Sequence, residues 1–450
     1  MMEIREVKTT SAAPLAVFRI VFGAMIFLSV IRFWYQGWIK SLYIDPKYFF
    51  PFYGLEFIKP WGEYTYILFV ICACCALMLA LGMFYRIASI GLFFSFTYIE
   101  LMDKSTYLNH YYFVSLVCLM LVFLPAQMYF SVDAYRNKNL LSDAIPVWCL
   151  SSLRLFVGLL YFFAGLAKVN SDWLLLAQPL KIWLPAKNDL PIIGFLFNYS
   201  WIPFVFSWFG CLYDLLIPFL LWNAKTRLWA YGAVVVFHGL TAILFPIGMF
   251  PYVMMVTALV FFSGEFHQKI ISQIGKWLQL PATFLHPNRI YAYSPTTQRI
   301  LLLGFGGFFC WQLLMPFRYW LYPGELFWTE EGYRFSWRVM LMEKAGYAQF
   351  TVLDKEGRRE VVNNQQFLTP LQEKMMSTQP DMLLYYAHIL RDFYHQRGYN
   401  NPQVYVDSYV TLNGRMGRPL VKPTTNLAQE EESFKPKKWI TSFDDTITGF

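Results

Sequence analysis

One lysine stands where a membrane segment tolerates few charges. Lys168 ends the run Phe162-Phe163-Ala164-Gly165-Leu166-Ala167 and is followed by Val169-Asn170-Ser171-Asp172-Trp173. An ammonium at the edge of a bilayer core must be solvated, paired or neutral. Two readings are open. The side chain snorkels to the headgroups, or desolvation lowers its pKa and makes the neutral amine a base. Arg154, Asp214, His238, and His110 preceded by Asn109 also interrupt or open apolar runs. Arg154 lies fourteen residues before Lys168, and at 100° per residue the two share a helix face. Intramembrane ionisable groups tend to face one another, so Arg154 and Asp214 are expected to form a structural ion pair. Each histidine taken alone reads as a hydrogen-bonded core residue.

The elements that must carry these groups are apolar helices. Of the 450 residues 57% are apolar and 15% charged, against about 25% charged in ordinary soluble domains. The expected class is a polytopic α-helical membrane protein of about nine transmembrane helices followed by a small β-rich extramembrane domain. Hydrophobic segments fall near 14–34, 65–85, 87–102, 110–130, 148–168, 200–222, 227–245, 248–263 and 300–320. Residues 1–263 read as the helical bundle, 264–298 as an interfacial amphipathic segment and 299–320 as the last span. In the amphipathic segment Phe266, Ile270, Ile274, Trp277 and Leu278 recur at helical spacing among lysines. Glu3, Arg5, Glu6 and Lys8 precede an apolar run too long for a signal peptide, so the first span is expected to be retained.

Residues 321–424 have soluble character. Residues 349–353 and 359–362 flank Asp354-Lys355-Glu356-Gly357 as a β-hairpin, residues 403–410 alternate as a strand, and 380–396 form an amphipathic helix. Residues 425–450 show no pattern and are expected to be a loosely ordered tail. With a cytoplasmic N-terminus, ten lysines and arginines fall in loops on that side and seven on the other. With nine spans, that bias orients this multi-pass integral membrane protein with its C-terminal domain periplasmic or lumenal. The net charge of +8 suits anionic lipid headgroups and lacks the dense basic run of a nucleic-acid binder. The seven cysteines, including Cys72, Cys74 and Cys75, lack a second Cys/His cluster and read as buried inert thiols, with no metal site. No HExxH, GxSxG, Walker or dinucleotide motif is present, which argues against ATP-driven work and metalloproteolysis.

Four blocks in order resemble the vitamin K-dependent γ-glutamyl carboxylase family in its bacterial form. They are Asp103-Lys104-Ser105-Thr106-Tyr107-Leu108-Asn109-His110, Tyr161 to Lys168 with Asp172-Trp173, Phe237-His238 with Phe245 to Met254, and Trp328 to Trp337. The resemblance implies a coupled reaction. A reduced vitamin K-type hydroquinone reacts with O₂, and the oxygenated quinone removes a glutamate γ-proton. CO₂ then adds to give γ-carboxyglutamate, and the quinone leaves as its epoxide. No side chain is basic enough for that proton, so the cofactor supplies the driving force and the protein binds, orients and excludes water.

The same resemblance makes Lys168 the group that deprotonates the hydroquinone and His110 an aid to carbanion formation. Asn109, His238, Arg154, Asp214 and Asp172 take supporting places, and Tyr333, Ser336 and Trp337 a glutamate-binding region. The expected partners are a Glu-containing protein or peptide and membrane lipids. Animal members are longer and carry a cysteine pair with no counterpart here, so propeptide docking is not carried over. A hydroquinone epoxidase without carboxylation, and a non-catalytic quinone- or lipid-binding protein, are the alternative readings.

Overall fold

Helix follows helix where the apolar runs lie. The computed structural model describes residues 8–450, so the charges at Glu3, Arg5 and Glu6 lie outside the described residues. The bundle comprises α1 (Ala13–Tyr35), α2 (Thr65–Leu81), α3 (Tyr85–Leu101), α4 (Asn109–Phe123), α5 (Val147–Leu166), α6 (Ile202–Trp222), α7 (Arg227–Leu244) and α8 (Phe250–Ala258). Next come α9 (Gly264–Trp277) and α10 (Pro295–Leu314). A short ribbon pairs β1 (Thr9–Ser11) with β2 (Ala144–Pro146) and ties the first helix to the start of α5.

All nine predicted segments are helical, but nine full crossings are not what the lengths give. Among the described residues six helices are long and apolar enough to span a membrane: Ala13–Tyr35, Gly62–Leu81, Val147–Leu166, Ile202–Trp222, Arg227–Leu244 and Pro295–Leu321. A seventh is counted if Phe250–Phe261 and Gly264–Trp277, bent by 109°, form one span. Helices α3 and α4 have 17 and 15 residues, short of the ~20 that a hydrocarbon core requires. Helix α9 buries His267, Ile271 and Gly275 and turns Phe266, Ile274 and Trp277 outward. It thereby presents its apolar stripe to the surroundings, as an interfacial helix does. Exposed leucines and aromatics such as Phe219, Trp229 and Leu303 cover the outer face of the bundle. Cys74 and Cys310 lie on that face, which corrects the expectation that the thiols are all buried.

The C-terminal part carries a four-stranded antiparallel sheet in the order β4-β3-β5-β6. Its strands are β3 (Lys344–Leu353), β4 (Arg359–Val361), β5 (Gln403–Leu412) and β6 (Arg418–Pro419). In β5 Val404, Val406, Ser408, Val410 and Leu412 are buried in alternation, the period of a half-buried strand. Helices α11 (Pro370–Met376) and α12 (Pro380–Gln396) cover that face, with Tyr386 edge-on to Phe350 at 4.9 Å. The expected loose tail is corrected. Residues 425–450 bury Leu427, Trp439 and Ile440, bridge Val421 to Ile440, and end with the Phe450 ring 4.7 Å from the Arg338 guanidinium. The anchors fall at irregular intervals, so no periodicity announces them.

Candidate functional site: an apolar chamber and a polar cavity

Helix α5 ends at Leu166, and the chain turns through Lys168 N to Gly165 O and Val169 N to Leu166 O. That turn points Lys168 back along its own helix. Its Nζ donates to Ala164 O at 3.0 Å, where a helix C-terminus favours a cation. It also donates to Asp214 Oδ2 at 2.7 Å and lies 5.4 Å from the Trp173 ring. Lys168 and Asp214 are 6% and 5% exposed, which excludes the snorkelling reading. The lone desolvated amine is corrected too, because a carboxylate faces it. As a pair, ammonium with carboxylate and amine with carboxylic acid both carry zero net charge, so a proton can move between them without leaving a net buried charge.

The expected Arg154–Asp214 pair does not form. Arg154 donates instead to Val260 O at 2.9 Å and Phe262 O at 3.2 Å, capping the break between α8 and α9. The axial distance is decisive. Fourteen residues of helix separate Arg154 from Lys168 by roughly 20 Å, and Asp214 sits at the Lys168 end. Helices α5 and α6 approach closely at Gly165, where an added Cβ would stand 2.7 Å from Leu215 N. This small residue is what lets Asp214 reach the lysine.

The pair opens on a chamber of about 200 Å³. Its walls include Leu160, Phe206, Phe209, Phe237, Phe245, Phe250 and Met254, with Val339 and Met340 contributed by the extramembrane part. The polar groups are Lys168, Asp214, Thr241, Tyr161 and His238. His238 Nε2 and the Tyr161 hydroxyl share a hydrogen bond of 2.9 Å, while His238 Nδ1 is buried without a partner among the described residues. His110 is buried behind this wall. Its ring lies 5.6 Å from Phe250, and Phe250 lies 5.9 Å from His238, so one phenyl ring separates the two imidazoles.

Asn109 and Asp172 act at the seam between the two parts of the chain. Asn109 Nδ2 donates to Arg338 O at 2.7 Å and its Oδ1 accepts from the Tyr107 hydroxyl at 3.0 Å. Asp172 is 1% exposed and is held by Arg415 at 2.6 and 2.7 Å and by Asn413 Nδ2 at 2.8 Å. The three residues expected to bind glutamate are packed among their neighbours and line neither cavity. The Ser336 hydroxyl donates to Tyr333 O, Trp337 stacks on Tyr112 at 4.9 Å, and the Tyr333 ring meets Phe327. Their neighbours line cavities, because the backbone here alternates sharply. Phe335, Trp337 and Met340 all have positive φ (61°, 59° and 54°), a conformation that non-glycine residues hold only where the surroundings enforce it.

Arg334 and Phe335 face a second, polar cavity of about 330 Å³. Lys104, Arg318, Tyr322, Asp381 and Lys437 also line it. Asp381 Oδ2 receives Lys104 Nζ and Arg334 Nη1, each at 2.7 Å. Burial pushes the Asp381 carboxyl up, but the charges of Arg334 and Lys104 outweigh it and hold the group well below the ordinary carboxylate range. Arg318 donates to Arg334 O at 2.5 Å. Among the described residues it forms no ion pair, which leaves a guanidinium facing the cavity. Sequence reasoning missed Asp381, Arg318 and the Lys104–Arg334 partnership. Lys104 and Arg334 lay in the matched blocks, but nothing in the sequence links them to the first turn of α12.

Residues 7–266 match the family model of the HTTM domain, and residues 297–446 match that of the vitamin K-dependent gamma-carboxylase, lumenal domain. No solved structure matches the chain. Among the described residues no group of three or more His, Cys, Asp or Glu side chains is arranged to hold a metal ion. With both halves of its architecture matched in order around the buried lysine pair, this membrane protein belongs to the vitamin K-dependent γ-glutamyl carboxylase family.

Proposed function

We propose that the protein is a membrane enzyme that couples oxidation of a reduced vitamin K-type quinone to γ-carboxylation of glutamate in a polypeptide. The observation that carries this reading is the Lys168–Asp214 pair facing an aromatic-walled chamber. The chamber fits a flat, lipid-soluble ring. Its walls are apolar, its polar groups cluster around Lys168 and His238, and Val205, Phe209 and Leu240 on its α6–α7 side are exposed where lipid would lie. When bound, the hydroquinone would supply, through its reaction with O₂, the strong base that no side chain can provide.

The chain's own residues bind, orient and move protons. Asp214 Oδ2 takes the ammonium proton across the 2.7 Å bond, and Nζ of Lys168 then takes a proton from a hydroxyl in the chamber. The Tyr161–His238 pair is the second polar group facing the chamber. The aromatic walls keep water from a reactive base or carbanion. His110 lies one ring behind Phe250 and would reach the chamber only if that ring swung aside. The polar cavity would hold the peptide beside the reacting glutamate, with Arg318 as the cation available to an acidic group there, and leave the glutamyl γ-carbon to enter the chamber. The short helices α3 and α4 complete the bundle between the longer spans, and residues 321–450 lie on the periplasmic or lumenal side.

The test uses full-length protein in lipid nanodiscs with reduced vitamin K-type quinone, O₂, labelled CO₂ and a Glu-containing peptide. Label in the peptide and quinone epoxide are both expected, and both are lost in Lys168→Met. Epoxide without labelled peptide would select the hydroquinone oxygenase reading. Absence of both with wild-type protein would refute the enzyme.

A further inference from the structure

The turn that carries Lys168 is fastened from two sides, by the end of its own helix and by the extramembrane part of the chain. Val169 O accepts from Phe450 N at 2.9 Å, and Ser171 N donates to Thr448 O at 2.8 Å. Thr448 N donates to Ser171 Oγ at 3.1 Å, and Asn170 bridges Gly449. One residue further on, Asp172 is gripped through both oxygens by Arg415 and through Oδ2 by Asn413, at the turn that leaves β5. Arg415 is itself held from behind by Asp445 at 3.0 Å. The next residue, Trp173, lies beside the Lys168 ammonium. Its indole Nε1 donates to Ser207 O at 2.8 Å on α6, the helix that carries Asp214. Four consecutive residues after the lysine are therefore set by bonds from outside the bundle.

We infer that Arg415 is a positioning residue for Lys168. Through Asp172 it fixes the 169–173 turn, so the amine meets Asp214 and the chamber only while the sheet domain is docked. A bidentate guanidinium–carboxylate fork fixes orientation as well as distance, which a single lysine contact does not. Displacement of a reacting group by about 1 Å lowers rates roughly a hundredfold, so the clasp makes docking of the extramembrane part a condition for reactivity in the membrane part. The inference rests on the reading of Lys168 as the reacting amine, but its geometric half can be tested without turnover.

The experiment compares wild type, Arg415→Gln, Arg415→Lys and Asn413→Ala, each as full-length protein in nanodiscs. Amines are labelled by reductive methylation and read by mass spectrometry, in parallel with quinone turnover across pH. Lys168 is expected to be protected in wild type and to label about tenfold faster in Arg415→Gln. Lys344, which is buried in β3 against Glu330 at 2.8 Å, should stay protected as the internal control. Turnover should fall about tenfold to a hundredfold with a displaced pH optimum and an unchanged quinone KM, and Arg415→Lys should recover part of both effects. If Arg415→Gln does not accumulate, Asn413→Ala decides by the same two readouts. Unchanged Lys168 protection in a folded variant would overturn the inference, and so would Lys344 labelling in step with Lys168. Absence of turnover in wild type would remove the enzymatic reading while leaving the labelling result to judge the clasp.

Discussion

Lys168 and Asp214 stabilise each other only as a pair. Removing one partner of a buried ion pair leaves an uncompensated charge and costs about 3–5 kcal/mol, whereas replacing both is often tolerated. Asp214→Asn is therefore expected to lower stability by that amount, and Lys168→Met with Asp214→Asn to recover most of it. Denaturant unfolding in detergent micelles checks both. Asp103 gives a second single-residue prediction. Burial pushes its carboxyl up from 3.8 to about 6, against hydrogen bonds from Ser105 N and Gln372 Nε2. A folded-state value above the unfolded one means that its contribution is complete below the ordinary carboxylate range and is lost as pH rises through about 6. Asp103→Asn keeps the amide oxygen that caps Ser105 and has no charge to bury, while its Nδ2 loses the Gln372 bond at a cost that does not change with pH. The variant should gain on wild type by roughly 2–3 kcal/mol between about pH 4 and pH 7, and equal pH dependence of the two melting curves would contradict this.

At the scale of elements, the packing of α5 on α6 sets the site. Gly165 lets the backbones approach, and an alanine Cβ there would lie 2.7 Å from Leu215 N and 3.0 Å from the Asp214 carbonyl carbon. Neither atom can turn aside, because both are main chain. Gly165→Ala should cost about 1–3 kcal/mol and roughly a hundredfold in turnover, since Asp214 shifts with its helix. Gly158, seven residues earlier on α5, has only Pro218 Cβ at 3.5 Å. Gly158→Ala makes the matched control, expected to be neutral or stabilising by up to about 1 kcal/mol. The strained segment through Phe335, Trp337 and Met340 works at the same scale. Trp337 is wedged between Tyr112 on α4 and Phe156 on α5, and this anchor lets the residues on either side reach two different cavities.

Across the whole molecule, the bundle and the sheet domain meet through buried charge. Lys104 comes from the loop before α4, Arg334 from the strained connector and Asp381 from α12, and they converge on one carboxylate. Asp381→Asn leaves two cations facing each other and should destabilise the protein by about 3–5 kcal/mol at neutral pH. The sign with pH follows from the depressed folded-state value. The contribution is present above the ordinary carboxylate range and is lost as the solution becomes strongly acidic, so wild type and variant should converge there. Unfolding followed by tryptophan fluorescence as a function of pH reads this directly. Gln372 of α11 adds a polar stitch to the same seam by donating to Asp103 Oδ2 at 2.9 Å and to Tyr48 O at 2.8 Å.

The amino-acid order alone determined the apolar helices, the hairpin around Asp354–Gly357, the alternation of β5 and the choice of Lys168 as the group to watch. Each of these is local, written in a period of 3.6 or 2 or in one charge set among apolar neighbours. The tertiary structure decided who meets whom. Asp214 went to Lys168 and not to Arg154, because antiparallel packing matches positions along an axis that a helical wheel leaves out. Asp172 belongs to Arg415, 243 residues away. Tyr333, Ser336 and Trp337 turn away from both cavities while Arg334, Phe335, Val339 and Met340 line them, because positive-φ turns in this segment reverse which side chains face open space. Six of the nine expected spans are by themselves long and apolar enough to cross, for a related reason. Hydropathy marks where an apolar helix lies, but its length and its neighbours decide whether it crosses.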